Sequence, residues 1–260
     1  MSIHKTAIVS KGAKLADDVE VGPYSIIGPL VTIGAGVKIG AHCVIEGNTT
    51  IGKNCKIFTS AVIGSIPQDL KFKDEVTYLE IGDNNIFREY VTVNLGTEAT
   101  SKTTIGNNNL LMAYAHVAHD CLVGNNCIIA NCGTLAGHVT IEDNAVIGGL
   151  VAIHQFVTVG KLSIIGGCSK VVQDIPPFST CDGHPTKVYG LNLLGLKRND
   201  FKTEEISRLK KAFKILFFSK LTFSNAINKL NSRETSSKSV SYLVDFIKNS
   251  KRGVCRYQEQ

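Results

Sequence analysis

The sequence predicts a mainly β protein, a parallel β-solenoid of six-residue repeats over residues 1–185 followed by an α-helical C-terminal domain over 186–260. Three observations predict it. An aliphatic residue returns at every sixth position along most of the first part, a glycine often follows it, and after Pro176-Pro177 the apolar spacing changes to that of amphipathic helices.

The first run reads Leu15, Val21, Ile27, Ile33, Ile39, Ile45, Ile51, Ile57 and Ile63, with glycine next at 22, 28, 34, 40, 52 and 64. Four places after each aliphatic residue stands a small or β-branched one, such as Ser25, Val31, Val37, Cys43 and Cys55. The run resumes at Ile81 and again at Ile105, from which every sixth residue through Val171 is Ile, Leu or Val. A period of six suits neither an amphipathic helix nor an alternating strand, but it suits a coil with flat sides, one hexad to a side. The aliphatic residue then points inward and the small residue fills the next inward place.

Residues 66–79 and 94–104 leave this register and are expected as loops thrown out from the coil, a common seat of function on a rigid scaffold. Beyond the prolines, Ile206, Leu209, Phe213 and Leu216 recur at helical spacing, with Thr203 expected as N-cap and Glu204 and Glu205 in the first turn. Further helices are expected over 223–231 and 239–249, the latter on Val240, Leu243, Val244 and Ile247.

Composition narrows the function classes. The start has no continuous apolar segment of a signal peptide, and no stretch approaches a membrane span, so a cytoplasmic protein without stable membrane insertion is expected. Eight cysteines fit that compartment if reduced; Cys43, Cys55, Cys121 and Cys127 share one repeat position, which favours packing over metal binding. The net charge of +6 lies mostly after residue 186 and favours acidic partners; no nucleic-acid motif accompanies it.

The hexads resemble those of the hexapeptide-repeat acyltransferases. That resemblance implies a left-handed triangular β-helix with three hexads per coil, a hand that general crossover rules would not favour. Residues 18 apart then stack. His119 falls over Gly137 and Gln155, Asp120 over His138, and His154 beside them, so that scattered polar residues of the segment "AHVAHDCLVGNNCIIANCGTLAGHV" and its sequel meet on one outward edge. Three readings stay open for that edge. It is a hydrogen-bonded solvent corner, a zinc site of the kind γ-type carbonic anhydrases build on this fold, or a general base with its orienting carboxylate and an approachable backbone N–H at Gly137. The clustering favours the third, and no metal is expected.

Longer strings narrow the resemblance. "NLLMAYAHVAHDCLVGNNCIIAN", "TLAGHVTIEDNAVIGGLVAIHQF", "IGGCSKVVQDIPPF" and "YGLNLLGLKR" are similar to the family of UDP-N-acetylglucosamine O-acyltransferases that take a 3-hydroxyacyl chain from acyl carrier protein, the first step of lipid A synthesis in Gram-negative bacteria. The resemblance implies His119 as general base for the sugar 3-hydroxyl, Asp120 as its supporting carboxylate and the Gly137 N–H as oxyanion donor. It implies that His116, His138, His154 and Gln155 shape the substrate and acyl-phosphopantetheine site. Asp69 and Lys71 would hold the sugar nucleotide, and Asn192 and Arg198 its uridine-diphosphate portion. Gly167 would leave room at the end of the acyl groove for a long chain. Leu194 and Asn199 depart from the acidic residue and arginine that the family pattern implies.

No cofactor is implied, since acyl-phosphopantetheine arrives on its carrier as substrate. The family also implies a homotrimer with sites between subunits, and the basic C-terminal part suits an acidic carrier protein. The rivals are a related N-acyltransferase of the same pathway, whose usual extra N-terminal domain has no counterpart before these repeats, the γ-type carbonic anhydrase, and a purely structural solenoid.

Overall fold

The computed structural model describes residues 2–230 and 237–257. Strands of two residues follow one another around a three-sided prism and pair in parallel with the strand one coil away. The described strands form walls of eleven, nine and eight strands. The first wall includes Leu110–Leu111, Ile128–Ile129 and Val146–Ile147; the second His116–Val117, Thr134–Leu135 and Ala152–Ile153; the third Leu122–Val123, Thr140–Ile141 and Thr158–Val159. The first corner joins the first wall to the second, the second corner joins the second to the third, and the third corner closes the coil.

The register explains the period. Val117, Leu135 and Ile153 stand side by side in the second wall, all buried, and the other walls repeat this column. Burying such columns at roughly 25 cal/mol per Å² gives the prism its cohesion. At the small inward site the Cys121 thiol donates to the Ala136 carbonyl at 3.2 Å and the Cys127 thiol to the Glu142 carbonyl at 3.2 Å, each reaching into the next coil. Burial raises both thiols, Cys127 to about 11 and Cys121 to about 12.

The corners turn on residues in the left-handed region, including Asp120 (φ 60°), His138 (φ 62°) and Phe156 (φ 65°) at the second corner. Asparagine adopts this region more readily than most residues and holds the turn position of the third corner at Asn84, Asn108, Asn126 and Asn144.

Two excursions interrupt the coils without disturbing the walls. Ile57 pairs with Phe87, and Phe87 with Leu111, instead of partners 18 residues on. The chain returns to the wall earlier than the sequence pattern suggests. Asn48–Ile51, Tyr78–Ile81 and Lys102–Ile105 form four-residue strands side by side, because Leu79 and Thr103 also fit inward places and are fully buried.

After the coils, Ser179–Gly183 and Thr186–Leu191 form an antiparallel hairpin on the end of the first wall. Four described helices follow: α1 (Leu193–Arg198), α2 (Thr203–Phe218), α3 (Phe223–Lys229) and α4 (Lys238–Asn249). Ile206, Leu209, Phe213 and Leu216 of α2 and Val240, Leu243, Val244 and Ile247 of α4 are buried. Thr203 is the first residue of α2 rather than its N-cap; the extended Lys202 holds that place and gives no side-chain cap. The acidic first turn serves instead, with Glu205 accepting from the Ser237 hydroxyl at 2.6 Å and the Ser239 N–H at 3.1 Å at the start of α4. Position 231, expected at the end of α3, lies outside the described residues. No helix among the described residues is long and apolar enough to cross a membrane.

Candidate active site

His119 sits on the second corner, two places beyond the inward Val117, with its side chain largely covered. Its Nδ1 lies 2.7 Å from Asp120 Oδ2. The Asp120 carboxylate is fully buried and takes three further donors. Oδ1 accepts from the Thr97 N–H at 2.9 Å and from the Thr100 hydroxyl, and Oδ2 accepts from the Thr97 hydroxyl at 2.7 Å. With His119 the four acceptor positions of a carboxylate are filled. Burial alone would push this carboxyl up, but hydrogen bonds from Thr100, His119 and Thr97 outweigh it and hold Asp120 below its usual value. Asp120 is therefore ionised at neutral pH, and His119 Nδ1 carries the hydrogen that faces it. The lone pair is left on Nε2.

One coil on, Gly137 lies under the His119 ring. A Cβ on Gly137 would stand 2.6 Å from His119 Nε2 and 2.5 Å from Cε1, so only glycine lets the ring rest there. The Gly137 carbonyl accepts from Phe156, while no acceptor among the described residues takes the Gly137 N–H. His138 crosses the His119 ring edge-on at 5.2 Å between centroids, and its Nε2 lies 3.6 Å from Asp120 Oδ2. Burial lowers the His138 imidazole, helped by His119 and opposed by the negative charges of Asp120 and Asp69. Asp69, on the first excursion, thus lies within electrostatic reach of the cluster; its carboxylate accepts the Lys71 N–H at 3.0 Å.

The remaining candidates spread around this centre. His116 is half-buried on the second wall, 2.7 Å from the Thr92 hydroxyl, and burial and then the His119 charge lower it. His154 and Gln155 are exposed one coil beyond Gly137, with His154 Nδ1 3.3 Å from the Gln155 carbonyl. Gly167 stacks on Gly149 at the first corner; a Cβ there would meet only Gly149, at 3.2 Å from its carbonyl oxygen. Asn192 lies at the third corner in this chain, and Arg198 is the exposed last residue of α1. Asn192 caps α1 by accepting the Gly195 N–H at 2.9 Å, and its amide donates to the Leu162 carbonyl at the third corner. Asn199 closes the other end of α1, its amide donating to the Gly195 carbonyl at 2.9 Å.

The sequence reading missed Phe156 and the threonines. Phe156 stacks flat on His138 with centroids 4.4 Å apart, and its place 18 residues after His138 was a usable signal. Thr97 and Thr100 reach Asp120 from an excursion outside the repeat, where no stacking rule applies. By ligand spacing, His119, Asp120 and His138 form a group able to face one cation, with ligand atoms within 4.8 Å of one another. A carboxylate whose acceptor positions are already filled by hydrogen-bond donors suits an orienting role better than a metal ligand.

Residues 174–255 match the family model described as UDP-N-acetylglucosamine O-acyltransferase, domain 2, and residues 30–65 and 102–137 match the bacterial transferase hexapeptide. The chain is similar to the acyl-[acyl-carrier-protein]–UDP-N-acetylglucosamine O-acyltransferases of Thermodesulfovibrio yellowstonii (51% identical, covering 98% of this chain and 99% of the relative) and of a Sulfurihydrogenibium strain (55%, covering 98% and 94%). Among solved structures, LpxA from Acinetobacter baumannii superposes with a TM-score of 0.94 at 43% identity, over 98% of this chain and 99% of that one. The prism is accordingly a left-handed β-helix. With this identity running along nearly the full length of both chains and the family model matching its helical end, the chain belongs to the UDP-N-acetylglucosamine O-acyltransferases.

Proposed function

We propose that this acyltransferase moves a 3-hydroxyacyl chain from acyl carrier protein to the 3-hydroxyl of UDP-N-acetylglucosamine, opening lipid A synthesis, with His119 as general base. The observation that carries the role of His119 is the orientation of its ring. Nδ1–H is held by an ionised Asp120, so Nε2 is free to accept the hydroxyl proton. The sugar oxygen then bonds to the thioester carbonyl carbon, and negative charge builds on the carbonyl oxygen. The open Gly137 N–H suits that charge. As the carbon–sulfur bond breaks, the imidazolium returns its proton to the departing phosphopantetheine thiolate. No metal or cofactor enters this sequence.

His116, His138, His154 and Gln155 flank the path of the acyl-phosphopantetheine in this reading, and Asp69 and Lys71 hold the sugar nucleotide. Asn192 and Arg198 would contact its uridine-diphosphate portion. Asn192 sits at the third corner while His119 sits on the second, which supports a homotrimer in which neighbouring chains complete each site. The exposed Lys197 and Arg198 suit an acidic carrier, and an enzyme that takes an acyl carrier and a sugar nucleotide as substrates would work in the cytoplasm. Gly167 leaves space at the first corner that suits a long chain.

The test is a side-by-side assay of acyl-carrier thioester with UDP-N-acetylglucosamine. His119→Ala is expected to lose at least about 10²-fold in turnover, the usual worth of a positioned base. Unchanged turnover would remove the role given to His119.

A further inference from the structure

The excursion between Asn94 and Lys102 reaches the catalytic coil through Thr97 and Thr100. His138 and Phe156 occupy the position of Asp120 in the next two coils, and among the described residues no excursion donates a hydrogen bond to either side chain. The excursion is held at its base by Leu95, which is buried and donates its N–H to the Ser65 carbonyl at 2.9 Å. The Ser101 N–H closes a turn on the Thr97 carbonyl at 2.8 Å. That turn aims three donors at one carboxylate: the N–H and hydroxyl of Thr97 and the hydroxyl of Thr100. Thr103, at the return to the wall, accepts the Asp120 N–H at 2.8 Å and fixes the backbone beneath it.

Acceptor geometry has two effects here. A carboxylate with three positions taken offers His119 a single one, which selects one ring orientation and one tautomer. The same donors spread the carboxylate charge, so it pulls less strongly on an imidazolium than an unbound carboxylate would. We infer that Thr97 and Thr100 are positioning residues for acyl transfer, acting through Asp120 to hold the His119 ring in one orientation and one tautomer. This inference rests on the reading of His119 as general base.

Thr97→Val, Thr100→Val and the double variant test it, each with the corresponding serine variant and with His119→Ala measured in parallel. Thr100 is exposed, so Thr100→Val should fold, and thermal melts check the others. The double valine variant is expected to lose about tenfold in kcat with little change in KM for the sugar nucleotide. Both serine variants should stay close to the parent. An inactive His119→Ala beside a double valine variant with the parent kcat would overturn the positioning role while leaving the base in place, as would serine variants as slow as the valine ones. A fully active His119→Ala would overturn the base, and this inference with it.

Discussion

The second and third corners share one backbone and differ in what their side chains do with it. At four successive turns of the third corner, the residue before the left-handed position has an N–H that its own coil leaves unpaired. The next coil supplies an acceptor: Lys53 donates to Asp83, Asp83 to Asn107, Asn107 to Asn125 and Asn125 to Asp143, all at 2.6–2.8 Å. At the second corner Gly137 stands in the equivalent place, and Gln155 one coil on does not take its N–H. One corner closes its donors into a ladder. The other leaves a donor open beside an imidazole. The fold supplies such a donor at both corners, and the residue one coil on decides whether it is structural or open.

That contrast can be broken most severely at Gly137 itself. Gly137→Ala should drive the His119 ring from its seat, because the new Cβ would lie 2.6 Å from Nε2. Turnover should fall by about 10²-fold or more, since displacements near 1 Å cost that much, and the assay proposed for His119→Ala would show it. The converse experiment imports the ladder. Gln155→Asp places on the next coil the acceptor that Asp143 offers Asn125, and it should close the Gly137 N–H. Losing an oxyanion donor costs about 10²-fold, so turnover should drop by about that much, while Gln155→Ala, which adds no acceptor, should drop less. Equal losses would separate the two corners for a different reason.

A third expectation concerns acid. His138 is depressed chiefly by burial, so its neutral ring is the form the fold favours. Its contribution to stability is complete above the unfolded value of about 6.5 and is lost as pH falls through the lower folded value. Asp120, held low by its donors, adds a second loss further into acid. Unfolding midpoints should therefore fall on acidification below about pH 6.5, and His138→Asn, which also tolerates the left-handed turn, should flatten the first part of that fall. The smallest effect belongs to the ladder. Asn125→Ala should cost about 1 kcal/mol of stability by removing hydrogen bonds at a partly exposed corner, and kcat should be unchanged.

The repeat was legible because every coil restates the same inward and outward places, so one stretch such as Ile129–Ile165 predicts its neighbours. The cluster of His119, Asp120, Gly137 and His138 followed from the same arithmetic once the coil length of 18 was granted. What the pattern could not show depends on contacts outside it. Thr97 and Thr100 approach Asp120 from a loop that obeys no period, and Asn192 spends its side chain on capping α1, a job visible only once the helix start is known. Thr203 looked like a cap by residue type, yet the chain enters the helix one residue earlier and places Thr203 within the first turn.

The pairing of Ile57 with Phe87 and of Phe87 with Leu111 bears on how such a chain can change over generations. The first excursion lengthens its coil to a spacing of 30 and the second to 24, as the partners Lys53 with Asp83 and Asp83 with Asn107 also show. Both lengths are whole multiples of six, so every later side chain keeps its inward or outward assignment. The solenoid behaves like a reading frame. Insertions that respect the hexad can be accommodated as outward growth, while a one-residue slip would turn the following aliphatic column toward water.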